Sequence, residues 1–165
     1  MRRLRRPDTE AAEDADERTV RTAALALLAG REFAREELRD RLLRRGYPEP
    51  LVTSAIEQLV SERLVSDERF TEELIRQRSM RGQGPLRIRL ELRERNVADG
   101  VVDEALASAG IDWGERAHAV RRRRFGAKPP ADFRERAKQA RFLQYRGFSA
   151  DQVRVALGDG EEFEQ

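Results

Sequence analysis

The sequence has no cysteine, a single histidine, a single tryptophan and two tyrosines among its 165 residues. Without thiols there is no disulfide framework and no thiolate metal site. His118 has no cysteine to activate and stands beside a run of arginines. It reads as a partly exposed structural histidine rather than a general base. No run of 18 apolar residues and no signal-like apolar segment is present, so nothing is expected to span a membrane and a cytoplasmic location is expected. Stretches of alternating polarity that would argue for strands are almost absent. Lysine is scarce too: of 33 cationic residues, 31 are arginine.

The acid pairs Glu36-Glu37, Asp67-Glu68 and Glu72-Glu73 do not make a catalytic or metal site. Neighbours on a helix point about 100° apart, and acids in a first helical turn favour the positive end of the helix dipole. Gly82-Gln83-Gly84-Pro85 lacks the Lys-Ser/Thr of a phosphate loop and no strand precedes it, so it reads as a hinge or turn. The chain is therefore not expected to be an enzyme, and no metal or cofactor is implied.

What is present is repetition. Leu42, Leu92 and Leu143, spaced by 50 and 51 residues, are each followed four positions later by a helix-stopping residue, Gly46, Asn96 or Gly147. Tyr47, Val97 and Phe148 come next, then Val52, Val102 and Val153, then Ala55-Ile56, Ala105-Leu106 and Ala156-Leu157. A fixed period of this size marks a repeated supersecondary unit that presents an extended surface rather than a pocket. Charged and hydrophobic residues each make up 39% of the chain, so the core must be divided into thin pieces.

Helical spacing and stop signals divide the chain as follows. Residues 1–16 are a charged tail expected to be disordered, 17–65 the first three-helix repeat, 66–110 the second, 111–158 the third, and 159–165 an acidic tail. Gly30 is expected to close the first helix in a left-handed cap, and Ser66, Asp132 and Ser149 to cap later ones. In the helix opened by Pro85, Leu86 and Leu90 face one way and Ile88 and Leu92 nearly the opposite way, which predicts a sandwiched helix. The expected fold is all-α, an elongated curved array of three tandem three-helix repeats resembling helix-turn-helix units.

Net charge is only +2, but it is unevenly distributed: residues 116–146 hold 11 bases against 2 acids, and residues 147–165 carry a net −4. Arg121, Arg122, Arg123 and Arg124 stand together near a helix end. On the helix from Asp132 to Arg146, Phe133, Ala137, Ala140 and Gln144 form the expected core stripe. Arg134, Lys138, Arg141 and Tyr145 share another face at i, i+4, i+7 and i+11. Phe142 points away from the core stripe and is expected to pack between repeats. A net +9 segment with a cationic stripe favours a polyanionic partner, either DNA phosphates or the acidic surface of another protein.

Several stretches, in order, resemble the RecX family, bacterial regulators of the RecA recombinase. They are Arg31-Glu32-Phe33 with Glu37-Leu38 and Leu42-Leu43-Arg44-Arg45-Gly46-Tyr47; Asp67-Glu68-Arg69-Phe70; Gly84-Pro85-Leu86-Arg87-Ile88 with Glu91-Leu92; and Lys138, Arg141-Phe142-Leu143 with Arg146-Gly147-Phe148-Ser149. The sequence departs from the family pattern at Ser66, at Ala34, where a Ser or Thr cap is common, and at Asn96, where Gly is usual. The missing cap at Ala34 costs about 1 kcal/mol. The resemblance implies a curved helical array that lies in the groove of the RecA–DNA filament and inhibits its ATPase, strand-exchange and co-protease activities, the last directed at the SOS repressor. It implies RecA as partner, with single- or double-stranded DNA as a further one, and a monomeric state. Candidate contacts are Arg121 to Arg124, Arg134, Lys138, Arg141 and Arg146, with Arg87, Arg89 and Arg93 as further ones that pair instead with Glu91 and Glu94 if structural. The alternative is a helix-turn-helix type module acting directly on DNA. Base-reading Asn and Gln are scarce on its helices, which argues against sequence-specific readout.

Overall fold

The computed structural model describes residues 15–158; the expected tails, apart from residues 15 and 16, lie outside the described residues. Among those residues there are nine helices and no strand: α1 (Glu17–Leu28), α2 (Arg35–Arg44), α3 (Glu49–Ser61), α4 (Asp67–Met80), α5 (Pro85–Glu94), α6 (Asp99–Ser108), α7 (Trp113–Phe125), α8 (Phe133–Tyr145) and α9 (Ala150–Leu157). No helix among them is long and apolar enough to cross a membrane. The chain separates into two compact units that cut through the second triplet. One holds residues up to Thr71 together with Glu94–Val101, the other Glu72–Arg93 together with Val102 onward.

In the first unit, Asp16 opens α1 by accepting from the Thr19 hydroxyl at 2.7 Å and its amide at 2.8 Å. Those two bonds, the hydroxyl's first, hold the Asp16 carboxyl below its ordinary pKa. Gly30 does not take the expected left-handed conformation; Ala29 closes α1 in the right-handed region, and the Gly30 amide donates to the Leu27 carbonyl at 3.1 Å. At the end of α3 the left-handed residue is Arg63, with φ 60, after which Leu64 and Val65 both donate to the Leu59 carbonyl. Helices α1 and α2 pack on α3 around Val20, Ala24, Leu38, Leu42, Val52, Ile56 and Leu59, all buried.

Polar contacts tie this core to the segments that follow. Ala34 has no capping side chain, but Asp67 Oδ1 accepts from the Arg35 amide at 2.7 Å. One of the free amides at the start of α2 is thus satisfied from the first residue of α4. Arg69 donates through Nε to Glu32 at 3.0 Å, and Glu37 accepts from both Arg31 and Arg95, at 2.7 and 2.8 Å. The Arg95 guanidinium also lies 5.7 Å from the Phe70 ring centre. Asn96 takes the left-handed conformation, φ 57, so it performs the turn that Gly makes elsewhere.

In the second unit, Ile88 and Leu92 of α5 are buried, whereas Leu86 and Leu90 are 53% and 57% exposed. The helix is therefore not sandwiched. It buries one face, and its second apolar row lies open. Its N-terminus is held by main chain from the third triplet: the Gly84 amide donates to the Arg146 carbonyl at 2.8 Å and the Leu86 amide to the Gly147 carbonyl at 3.0 Å. The approach is close enough to require glycine on both sides. A Cβ on Gly84 would sit 2.4 Å from the Gly147 carbonyl, and one on Gly147, which has φ 93, would sit 2.4 Å from Arg87 Cβ. The turn expected at residues 82–85 is thus a fixed joint. The third core is small: Ala117, Leu143, Phe148, Val153, Ala156 and Leu157, with α9 packed chiefly on α7.

Candidate functional site

Two well-marked helices position the basic segment. Asp112 opens α7 by accepting from the Glu115 amide at 3.0 Å, and Gly126, with φ 90, ends it after Phe125. Asp132 opens α8 by accepting from the Glu135 amide at 2.8 Å. At the far end Ser149 and Gln152 form a reciprocal capping box on α9. Arg136 closes α9, donating to the carbonyls of Leu157 and Gly158 at 3.2 and 2.9 Å.

The four consecutive arginines do not share one fate. Arg121 is 3% exposed; its Nε donates to Gln139 Oε1 at 2.8 Å and its Nη2 to the Lys128 carbonyl. Gln139 in turn donates to Glu135 at 3.2 Å. Arg121 thus braces the α7–α8 connection from inside and offers no surface to a partner. Arg122, Arg123 and Arg124 are exposed.

Gln139 also explains why the expected core stripe of α8 is misplaced. The buried positions are Gln139 and Leu143, while Phe133 is 85% exposed. A polar residue drawn inward by Arg121 goes with a buried face turned by roughly 100° from the one apolar counting selects. The stripe of Arg134, Lys138, Arg141 and Tyr145 consequently lies roughly 150° from the buried face, and all four residues are exposed. Phe142 packs partly into the third core, its ring perpendicular to that of Phe125, with the ring centres 5.2 Å apart and the planes at 89°.

Beside Phe142 lies an open cleft of about 670 Å³ between the end of α4, α7 and the end of α8. Arg81, Arg116, Arg123, Arg124 and Arg146 line it together with Met80, Ala119, Val120 and Phe142, and no acid does. Arg146 donates to the Arg81 carbonyl at 3.4 Å and its guanidinium lies 5.3 Å from the Phe142 ring centre. Arg81 and Arg116 had no place in the sequence reading. Arg116 was available from periodicity, standing one heptad before Arg123 on α7, but Arg81 comes from another triplet and only the fold brings it in.

In the first two triplets at least eight arginines are held by carboxylates. Arg21 bonds Glu62 at 2.7 Å, Arg78 bonds Glu91 at 2.6 Å, and Arg39 and Arg89 bond Glu49 and Asp103. The hydrogen bonds that Arg78 donates to Glu91 raise the Arg78 pKa. The charge of Arg89 is therefore offset by Asp103 rather than by Glu91 or Glu94, Arg87 donates to the Tyr145 carbonyl at 3.3 Å, and Arg93 is exposed but not free of partners. By contrast, no described carboxylate pairs with Arg81, Arg116, Arg122, Arg123, Arg124, Arg134, Arg141 or Arg146, and Lys138 has only an i,i+3 contact with Glu135 at 3.5 Å. Unpaired cations on a concave surface and an adjoining helix face attract polyanions. Among the described residues no group of His, Cys, Asp or Glu is arranged to hold a metal ion.

Three family models cover most of the chain: the first three-helix domain of RecX over residues 21–59, the second over 66–106 and the third over 113–157. The regulatory protein RecX of Halorhodospira halophila is 54% identical over 143 residues, covering 87% of this chain and 89% of that protein. The RecX of Ectopseudomonas mendocina is 45% identical over 134 residues, 81% of this chain and 89% of that protein. The crystal structure of RecX from Lactobacillus salivarius superposes with a TM-score of 0.73 over 85% of this chain and 93% of that one, at 22% identity, a likeness of fold. The three matched domains and these extents of identity place the chain in the RecX family of regulatory proteins.

Proposed function

We propose that this protein binds the RecA–DNA filament and restrains its ATPase, recombinase and co-protease activities. Family membership supports a regulatory role. The observation that carries the binding surface is the cluster of arginines in the third triplet: Arg122, Arg123, Arg124, Arg134 and Arg141 are exposed on α7 and α8 and pair with no described carboxylate, whereas Arg154 on α9 is held by Asp151. The contact set is Arg122, Arg123, Arg124, Arg134, Lys138, Arg141 and Arg146, extended by Arg81 and Arg116 and reduced by the buried Arg121. Several weak contacts from one folded chain to successive filament subunits give avidity without any catalytic residue. No cofactor is needed, and the acting species is a cytoplasmic monomer.

RecA-driven ATP hydrolysis on single-stranded DNA, with and without the protein, tests the reading. Substoichiometric inhibition is expected, as is slower cleavage of the SOS repressor. Unchanged hydrolysis and unchanged cleavage at saturating protein overturn it. A second reading, direct action on DNA without RecA, draws on the same unpaired arginines and predicts sequence-neutral binding.

A further inference from the structure

The cleft differs from the other basic surfaces of the molecule in having an apolar floor. Val120, Ala119 and Phe142 line it together with guanidinium groups from α7 and from the residues that follow α4 and α8, and Met80, 68% exposed, lines it too. A surface that met only phosphates would have no use for that floor. A double helix presents its backbone outward with the bases stacked inside, so it would reach the arginines and leave the apolar area in water. A carboxylate-rich peptide would satisfy the charges, yet in a chain with 31 acids none of the described ones fills this cleft. A single nucleic-acid strand matches both features at once, because it carries regularly spaced phosphates and unstacked bases with apolar faces.

We propose that this cleft holds a short run of single-stranded DNA, with Arg81, Arg116 and Arg123 on its phosphates and a base or sugar against Val120 and Phe142. The inference rests on the reading of the third triplet as a polyanion surface and names the strand as its ligand. Arg116 and Arg123 are one heptad apart on α7, a separation of roughly 10 Å, so the cleft spans only a few nucleotides. Arg146, laid against Phe142 and bonded to the Arg81 carbonyl, fixes the floor relative to the α4 end. On α8, Lys138 stands one turn before Phe142 and Arg141 immediately before it, so a longer strand is expected to continue onto the stripe.

The test uses the full chain without RecA and labelled oligonucleotides of equal phosphate number: oligothymidine, an abasic strand, and a duplex. Fluorescence anisotropy across a salt series is expected to show oligothymidine binding about tenfold tighter than the abasic strand, at the same salt slope, since stacking adds to affinity without releasing counterions. The R116A/R123A variant is expected to lose about tenfold in oligothymidine affinity and about 1.4 in salt slope, at about 0.7 per phosphate lost. R41A/R44A, on α2, keeps wild-type binding, and circular dichroism confirms that both variants are folded. Equal affinity for the abasic strand or tighter binding of duplex overturns the inference, as does unchanged binding by R116A/R123A. Displacement of oligothymidine by polyglutamate more readily than by the abasic strand overturns it in favour of an acidic peptide. If no oligonucleotide binds while RecA hydrolysis is still inhibited, the strand assignment falls and the filament reading stands.

Discussion

The two joints between triplets are built from different materials. The first, within the first unit, is a set of contacts made by side chains: Asp67 to the Arg35 amide, Arg69 to Glu32, and Arg95 to Glu37, a carboxylate that Arg31 of the same triplet also holds. The second, within the second unit, is main chain against main chain, with Gly84 and Gly147 in contact and two amide-to-carbonyl bonds across them. Charged side chains adapt and are screened by salt, whereas close-packed backbone does neither. The same repeated helices are thus joined once by a contact that tolerates adjustment and once by one that does not. The unpaired arginines of the cleft lie beside the rigid joint, where Arg146 precedes Gly147 and Arg81 precedes Gly82.

The largest effect is expected from G147A. The new methyl meets Arg87 Cβ and the backbone has φ 93, so both sterics and conformation oppose it, at about 3 kcal/mol or more. Thermal unfolding should show a fall that is the same in low and high salt; a fall of under about 1 kcal/mol would mean that the joint yields. Next comes E37A, which frees two guanidinium groups and should cost about 1–2 kcal/mol at low salt. Most of that difference should vanish in 1 M salt, where screening acts over about 3 Å. A salt-independent loss would show that Glu37 acts through packing.

A34S and D67A together sharpen the account of the start of α2. Alone, A34S should gain about 1 kcal/mol, because a serine there accepts from the Glu36 or Glu37 amide while Asp67 holds only the Arg35 amide, and D67A should cost about 1 kcal/mol. In the double variant the two effects should add, since they serve different amides, and a large coupling would show that they share one. The smallest effect concerns acid. Asp16 is held below its ordinary 3.8 by Thr19, Glu68 below 4.5 by its own amide and Ser66, and Glu73 below 4.5 by Arg76 and Gln77. Lowered folded-state values mean stability that is complete above the unfolded values and lost as pH falls through the folded ones. Melting temperature should therefore hold from neutrality to about pH 5 and decline below about pH 4, modestly because these groups are exposed.

The helices were legible because apolar residues recur at helical spacing and because Ser66, Asp132 and Ser149 cap where capping residues should. What escaped was whatever depends on residues far along the chain. Arg121 and Gln139 look like surface residues until they are seen to satisfy each other, and their union displaces the buried face of α8 and exposes Phe133. Leu86 and Leu90 have the spacing of a second core face, but no apolar surface covers it. The acceptor for the Arg35 amide lies at the start of α4, and the cleft could not be read from one segment because Arg81 enters it from the far side of the Gly84 joint.

The glycine joint also furnishes a spectroscopic handle. The amides of Gly84 and Leu86 belong to the second triplet, yet their acceptors are carbonyls of the third. Their hydrogen exchange with deuterated water should therefore report when the third triplet detaches, with protection set by that opening rather than by fraying of α5. Pro85 has no amide and leaves the two signals separated. A ligand that grips the third triplet from the cleft would slow the exchange of both, a readout of docking taken from residues that never touch the ligand.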